Sequence, residues 1–247
     1  MSKIKENVKK SYGSAVTRRM QQETSCCGPV EVESECCPSE TGTTGVTEKI
    51  SETTPSFGCV VGLSQKAQIR QGDIVVDLGS GAGYDVFEAA KLVGPDGQVV
   101  GVDFTPEMLT TARNLATERG ITNVDFRMGD IENIEAVPDD FADVVISNCV
   151  INLTVAKSSV FKEAYRILKP GGRLVDADII AVDELPAKFT NNPGAWCSCL
   201  GGALTESGYR TKIEEAGFSN IKVTTYGQFT NMGQEFQNGL IEATKNP

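Results

Sequence analysis

The sequence predicts an α/β protein. Its mostly parallel sheet carries helices on both faces, with a mobile N-terminal segment before it and a smaller C-terminal α+β region after it. Three observations carry that expectation. From Asp73 onward, short and nearly continuous apolar runs alternate with helical stretches, the pattern of buried parallel strands joined by crossover helices. The first apolar run ends in a glycine-rich turn, "VVDLGSGAG" at residues 75–83. Residues 21–47, rich in Ser, Thr, Glu and Gly with two prolines, carry too little apolar surface to offset their ordering entropy.

In chain order, residues 3–20 place Ile4, Val8, Tyr12, Ala15, Val16 and Met20 near one helical face. Gly13 weakens that helix, which therefore depends on packing. "DIVVDLG" is a strand, and "YDVFEAAKLVG" a helix stopped by Gly94-Pro95. "GQVVGVDF" is a strand and "TPEMLTTARNLATERG" a helix, with Thr105 as N-cap, Pro106 in the first turn and Gly120 as its stop. "VDFRMGD" and "ADVVISNCV" are strands, "SSVFKEAYRILKPGG" a helix entering a turn, and "RLVDADI" a further strand. Residues 181–204 break the alternation with prolines and glycines. Beyond them "TESGYRTKIEEAGF" reads as a helix, and "IKVTTYGQF" and "EFQNGLIEAT" as strands. The divisions expected are 1–50, an N-terminal helix with a cysteine-bearing segment; 51–180, the core; and 181–247, a C-terminal region with a lid.

Composition excludes several functions. A net charge of −10 with scattered basic residues opposes binding to a phosphate backbone, so no nucleic-acid partner is expected. No apolar run approaches the roughly 18 residues of a membrane span. "MSKIKENVKK" lacks the apolar stretch of a secretory signal, and a soluble, cytoplasmic protein is expected. Eight cysteines are many for a reducing compartment, where structural disulfides are rare. The chain has no histidine and no C-x₂-C pair, which removes mixed Cys/His zinc sites and zinc ribbons, though not every four-cysteine zinc site.

"VVDLGSGAG" has the strand–turn–helix form in which glycines let the backbone turn sharply and approach a ligand. Asp103 lies about twenty residues further on, where a carboxylate can accept from ribose hydroxyls. Tyr84 stands where a nicotinamide-binding fingerprint wants its last glycine. "DLGSGAG", "GVDFTPEML", "FRMGDIE" and "LKPGGRLV" follow in the order and spacing of the class I S-adenosylmethionine-dependent methyltransferases, which residues 64–180 resemble. The resemblance implies that fold, Rossmann-like, and S-adenosyl-L-methionine as cofactor. It places Asp77, Gly79, Ser80, Gly81 and Gly83 at the methionine end, and Asp103 on the ribose. Phe104 and Met108 flank the adenine, Asp130 and the Ile131 backbone meet its edge, and Gly129 and Asn148 complete the set.

Cys149, in "VVISNCVINL", falls at the carboxyl end of the fourth strand, the edge where open α/β sheets bind ligands. Cys59, in "SFGCVVGL", precedes the core, and Cys199, in "CSCLGGAL", lies in the irregular stretch. These segments on such a core resemble the arsenite S-adenosylmethionine methyltransferases, over roughly residues 4–210, with "SNCVINL" the most specific piece. The resemblance implies arsenic(III) as substrate, Cys59, Cys149 and Cys199 as its ligands, a role in arsenic detoxification, and a thiol reductant such as thioredoxin or glutathione as partner. Cys199 is favoured over Cys197 because it abuts Leu-Gly-Gly-Ala-Leu. A further cysteine of the family has four candidates here, Cys26, Cys27, Cys36 and Cys37. Trivalent arsenic is soft and suits thiolates, and its lone pair needs no general base to attack a sulfonium methyl. Two other readings stand beside this one: a methyltransferase for another small acceptor, and a metalloid-binding protein on a methyltransferase core.

Overall fold

The computed structural model describes residues 3–23, 60 and 62–247. Cys59, the four N-terminal cysteines and all of residues 24–47 fall outside that range. The N-terminal helix α1 spans Lys3–Glu23, so the helix runs three residues into the stretch expected to be mobile.

Five parallel strands form most of the sheet: β1 (Ile74–Leu78), β2 (Gln98–Asp103), β3 (Val124–Met128), β4 (Ala142–Asn148) and β5 (Leu168–Ala181). The C-terminal hairpin, β6 (Ser219–Asn231) and β7 (Gln234–Thr244), joins the same sheet because β7 pairs antiparallel with β5. The spatial order is β3-β2-β1-β4-β5-β7-β6. Strand order reverses between β1 and β4, and the crevice at their carboxyl ends is where such a sheet binds ligands.

Successive residues of a strand face opposite sides of the sheet, and here both sides are buried. Val76, Leu78 and Val145 pack with Phe161 and Ile167 of α5 (Lys157–Ile167) and with Tyr209 and Ile213 of α8 (Glu206–Glu215). Val75, Val144 and Ile146 pack with Phe87 of α3 (Tyr84–Val93) and Leu109 of α4 (Pro106–Glu118). A short helix, α2 (Leu63–Lys66), contributes Leu63 to that second layer.

The turn expected at "KPGG" survives as a register shift within β5. Ala142 pairs with Leu168 and Val144 with Arg173, so the residues between bulge outward, with Gly171 at φ +76°. Thr105 does stand at the N-cap of α4, but its side chain makes no cap hydrogen bond; it serves Asp103 instead. The irregular stretch 181–204 contains two short helices, α6 (Ala187–Thr190) and α7 (Pro193–Cys197).

Candidate active site

A cleft with about 980 Å³ of empty space lies over the carboxyl ends of β1 and β4. Asp77, Gly79, Ser80 and Gly81 line it from the first turn; Asp103, Phe104 and Met108 line it from the end of β2 and from α4. Asp130 and Ile131 close one end, and Asn148 and Cys149 bring in β4. Gly79 is at φ +73°, and a Cβ there would collide with Val150, which explains the glycine. Gly83 and Gly129 are absent from the lining. A Cβ on Gly83 would come 2.9 Å from Phe126, and one on Gly129 3.0 Å from Val102. Both glycines are therefore required by close packing, while their neighbours Ala82, Tyr84, Asp130 and Ile131 line the cleft.

The cleft floor is acidic. Asp103 accepts from Gly81 N at 3.0 Å and Thr105 N at 2.8 Å, which orients its carboxylate across the turn. Burial raises its pKa, and these hydrogen bonds oppose that rise. Asp77 is raised well above the carboxylate range, first by burial and then by Asp85 and Asp103 nearby. Asp85 is raised to about 6, chiefly by burial, although Asn148 Nδ2 donates to it at 2.9 Å. Three carboxyls in one apolar cleft repel each other and favour a cationic ligand. Ser80 Oγ and Asp85 Oδ1 are buried with no hydrogen-bond partner among the described residues, and such atoms call for a polar ligand.

Next to the cleft, one donor atom each of Cys149, Asp178 and Cys199 lie within 4.8 Å of one another. Cys199 Sγ donates to the Cys149 carbonyl at 3.0 Å. Both cysteines have φ +61°, a strained backbone for residues with a Cβ. Cys149 is held there by its N–H on Ala177 O at 2.7 Å. Cys199 is held because Leu200 and Gly201 both donate back to Ala195 O. Cys149 is disulfide-bonded.

A buried polar network supports this corner. Asp178 accepts from Asn152 N at 2.9 Å and Ile179 N at 3.0 Å. Asn152 in turn accepts from Tyr209 Oη at 2.6 Å. Burial pushes Asp178 up to about 7, and burial pulls Lys157 down to about 8 with Asp178 and Cys199 opposing that fall. Lys157 lies 5.1 Å from the centre of the Trp196 ring. The two glycines of "CLGGAL" allow this packing: a Cβ on Gly201 would stand 2.8 Å from Trp196, and one on Gly202 would overlap Asn152 O.

Residues 69–217 match the family model described as a methyltransferase domain. The chain is 34% identical to an arsenite methyltransferase of Halobacterium salinarum over 98% of its length and 66% of that protein's. It is 36% identical to one from Aquipseudomonas alcaligenes, over 88% of this chain and 63% of the other. An arsenic(III) S-adenosylmethionine methyltransferase of Chlamydomonas reinhardtii, known from its crystal structure, superposes with a TM-score of 0.70. Identity is 33%, and the match covers 82% of this chain and 71% of that one. The chain belongs to the arsenite S-adenosylmethionine methyltransferase family.

The chain spans about two thirds of the length of those two curated relatives. The cofactor of this family fits the cleft on local grounds: a glycine turn, an oriented Asp103 beside it, and buried acidic groups that favour a cationic ligand. Sequence reasoning for the family member missed Asp85, Asp178 and Lys157. Asp85 stands two residues past the glycine turn, at the first turn of α3, and that spacing was the available signal. Asp178 and Lys157 had none, because only the fold brings them to Cys199. Among the described residues, no helix is long and apolar enough to cross a membrane.

Proposed function

We propose that this protein transfers the methyl group of S-adenosyl-L-methionine to thiolate-bound arsenic(III), giving methylated arsenicals, with Cys59, Cys149 and Cys199 as the arsenic ligands. The observation that carries this is the meeting of Cys149 and Cys199 at the rim of the cofactor cleft. Two sulfurs from distant parts of the chain, each on a strained backbone, make a poor packing device and a good soft-ligand pair.

When bound, S-adenosylmethionine supplies an electrophilic methyl group on a sulfonium sulfur. Asp103 would hold the ribose, Phe104 and Met108 would flank the adenine, and Asp77 and Asp85 would meet the methionine ammonium. Cys149 and Cys199 fix arsenic so that its lone pair points into the cleft. The arsenic–carbon bond would form with that lone pair as the sulfur–carbon bond broke, its electrons staying on sulfur. No proton leaves the nucleophile, so a site without histidine is sufficient. Holding both reactants turns the encounter into an effectively unimolecular step.

Methylation removes two electrons from arsenic, and two thiols return them by forming a disulfide. A thiol reductant, thioredoxin- or glutathione-like, must then reopen it, and the disulfide at Cys149 calls for the same reagent before capture. A reducing compartment such as the cytoplasm suits that cycle. The test is transfer of a labelled methyl group in the presence of thiol. Transfer to arsenite, with none to small carbon, oxygen or nitrogen acceptors, is expected. Transfer to one of those acceptors in preference to arsenite would overturn the proposal.

A further inference from the structure

The cleft has a wall that belongs to neither the sheet nor its crossover helices. Lys5, Val8 and Tyr12 of α1 line it, spaced so that a helix presents all three on one face. Lys5 Nζ lies 2.6 Å from Asp130 Oδ2 and 2.6 Å from Glu132 Oε2, with the Lys5 and Glu132 side chains each only 15% exposed. Burial works against the Lys5 charge, and the two carboxylates more than offset it, so the ammonium is held charged. The other Asp130 oxygen accepts from Glu132 N at 3.0 Å, so Asp130 is oriented from both sides. Glu132 also accepts from Val155 N and Ala156 N, which extends the clasp to the start of α5.

Tyr12 spans the gap between two sites. Its ring packs against Ala82 and Met108 in the cleft, and its hydroxyl donates to Cys197 O at 3.2 Å. Cys197 ends α7, two residues before Cys199. Helix α1 is thus pinned near its start to Asp130 and at its middle to the segment that carries a proposed arsenic ligand. A Cβ on Gly13 would come 3.3 Å from Glu107 Oε2, so α1 also seats closely on α4.

We propose that Lys5 and Tyr12 are positioning residues that make α1 the closing wall of the cofactor cleft: Lys5 sets Asp130 against the adenine edge, and Tyr12 transmits cofactor occupancy to the Cys199 segment. This rests on the function proposed above. Its consequence is mutual strengthening of cofactor and arsenical binding, since coupling between two sites is reciprocal.

The probes are S-adenosylhomocysteine and phenylarsine oxide, followed by stopped-flow displacement and by the fluorescence of Trp196, the single tryptophan. In Lys5→Met, S-adenosylhomocysteine should leave about tenfold faster, and Lys5→Arg should restore most of its retention. Saturating S-adenosylhomocysteine should tighten phenylarsine oxide binding about fivefold in the wild type and less than twofold in Tyr12→Phe. Circular dichroism and thermal midpoints establish that each variant is folded. A Lys5→Met off-rate within twofold of wild type, or undiminished coupling in Tyr12→Phe, overturns the inference and leaves the proposed function standing. A wild-type protein that binds no S-adenosylhomocysteine overturns both.

Discussion

Cys199 Sγ reaches the carbonyl of Cys149 at 3.0 Å across fifty residues of chain. That contact joins the end of β4 to the segment after α7 and brings Cys199 beside Cys149. Cys197 lies close to Cys199 in sequence, yet its carbonyl is turned to Tyr12.

The sulfurs should therefore be unequal. Cys149→Ser and Cys199→Ser should each lower methylation of inorganic arsenite at least about a hundredfold, since misplacing a reacting group by about an ångström costs that much. Cys197→Ser should stay within a few-fold of wild type, and Cys59→Ser should retain activity on monomethylated arsenic, which needs only two protein thiolates. Product speciation by chromatography checks all four, and loss in Cys197→Ser with Cys199→Ser unaffected would reverse the assignment.

Asp103 should matter to affinity more than to folding. In the proposed function its carboxylate accepts from two ribose hydroxyls, and hydrogen bonds to a charged group are worth roughly 1.5–3 kcal/mol each. Asp103→Ala should weaken S-adenosylmethionine at least about tenfold by calorimetry. Unchanged affinity in a folded variant would show that the ribose lies elsewhere.

Asp85 predicts a pH dependence. Its pKa in the unliganded protein is raised to about 6 by burial, so it is ionised at pH 8 and neutral at pH 5. Only the ionised form attracts an ammonium group. S-adenosylmethionine affinity should hold steady above pH 7 and fall as pH drops through about 6, approaching tenfold per pH unit where one proton is taken up on release. In Asp85→Asn that inflection should disappear. Titration calorimetry between pH 5 and 8 reads both curves, and an inflection that persists in the variant would refute the assignment.

Gly202→Ala tests the lid packing. An added Cβ overlaps Asn152 O and crowds Trp196 and Lys157, and overpacking of this kind costs about 1–3 kcal/mol. The thermal midpoint should fall by several degrees and Trp196 fluorescence should shift, while Gly120→Ala, whose Cβ would meet nothing, should leave the fluorescence unchanged. A Gly202→Ala protein with wild-type emission would show that the segment repacks freely.

Strand and helix positions in the core were legible because their causes are local: apolar runs, the caps and stops of α3 and α4, and the glycine turn. Most of the residues that line the cleft were legible for the same reason, since they sit in or just after that turn and at strand ends.

What the chain by itself determined, then, is the wound sheet, its glycine turn, the acidic residue at the end of β2, and the family to which these motifs point. Tertiary structure alone decided that β7 runs antiparallel beside β5, that Cys149 and Cys199 meet beside Asp178, and that Lys5 and Tyr12 of α1 line the cleft. The physical reason is the same in each case. Local rules act over a turn or a strand, whereas these contacts join residues separated by tens to nearly two hundred positions, as Tyr12 and Cys197 are. Packing of helices and loops onto the buried central strands is what brings such residues within bonding distance.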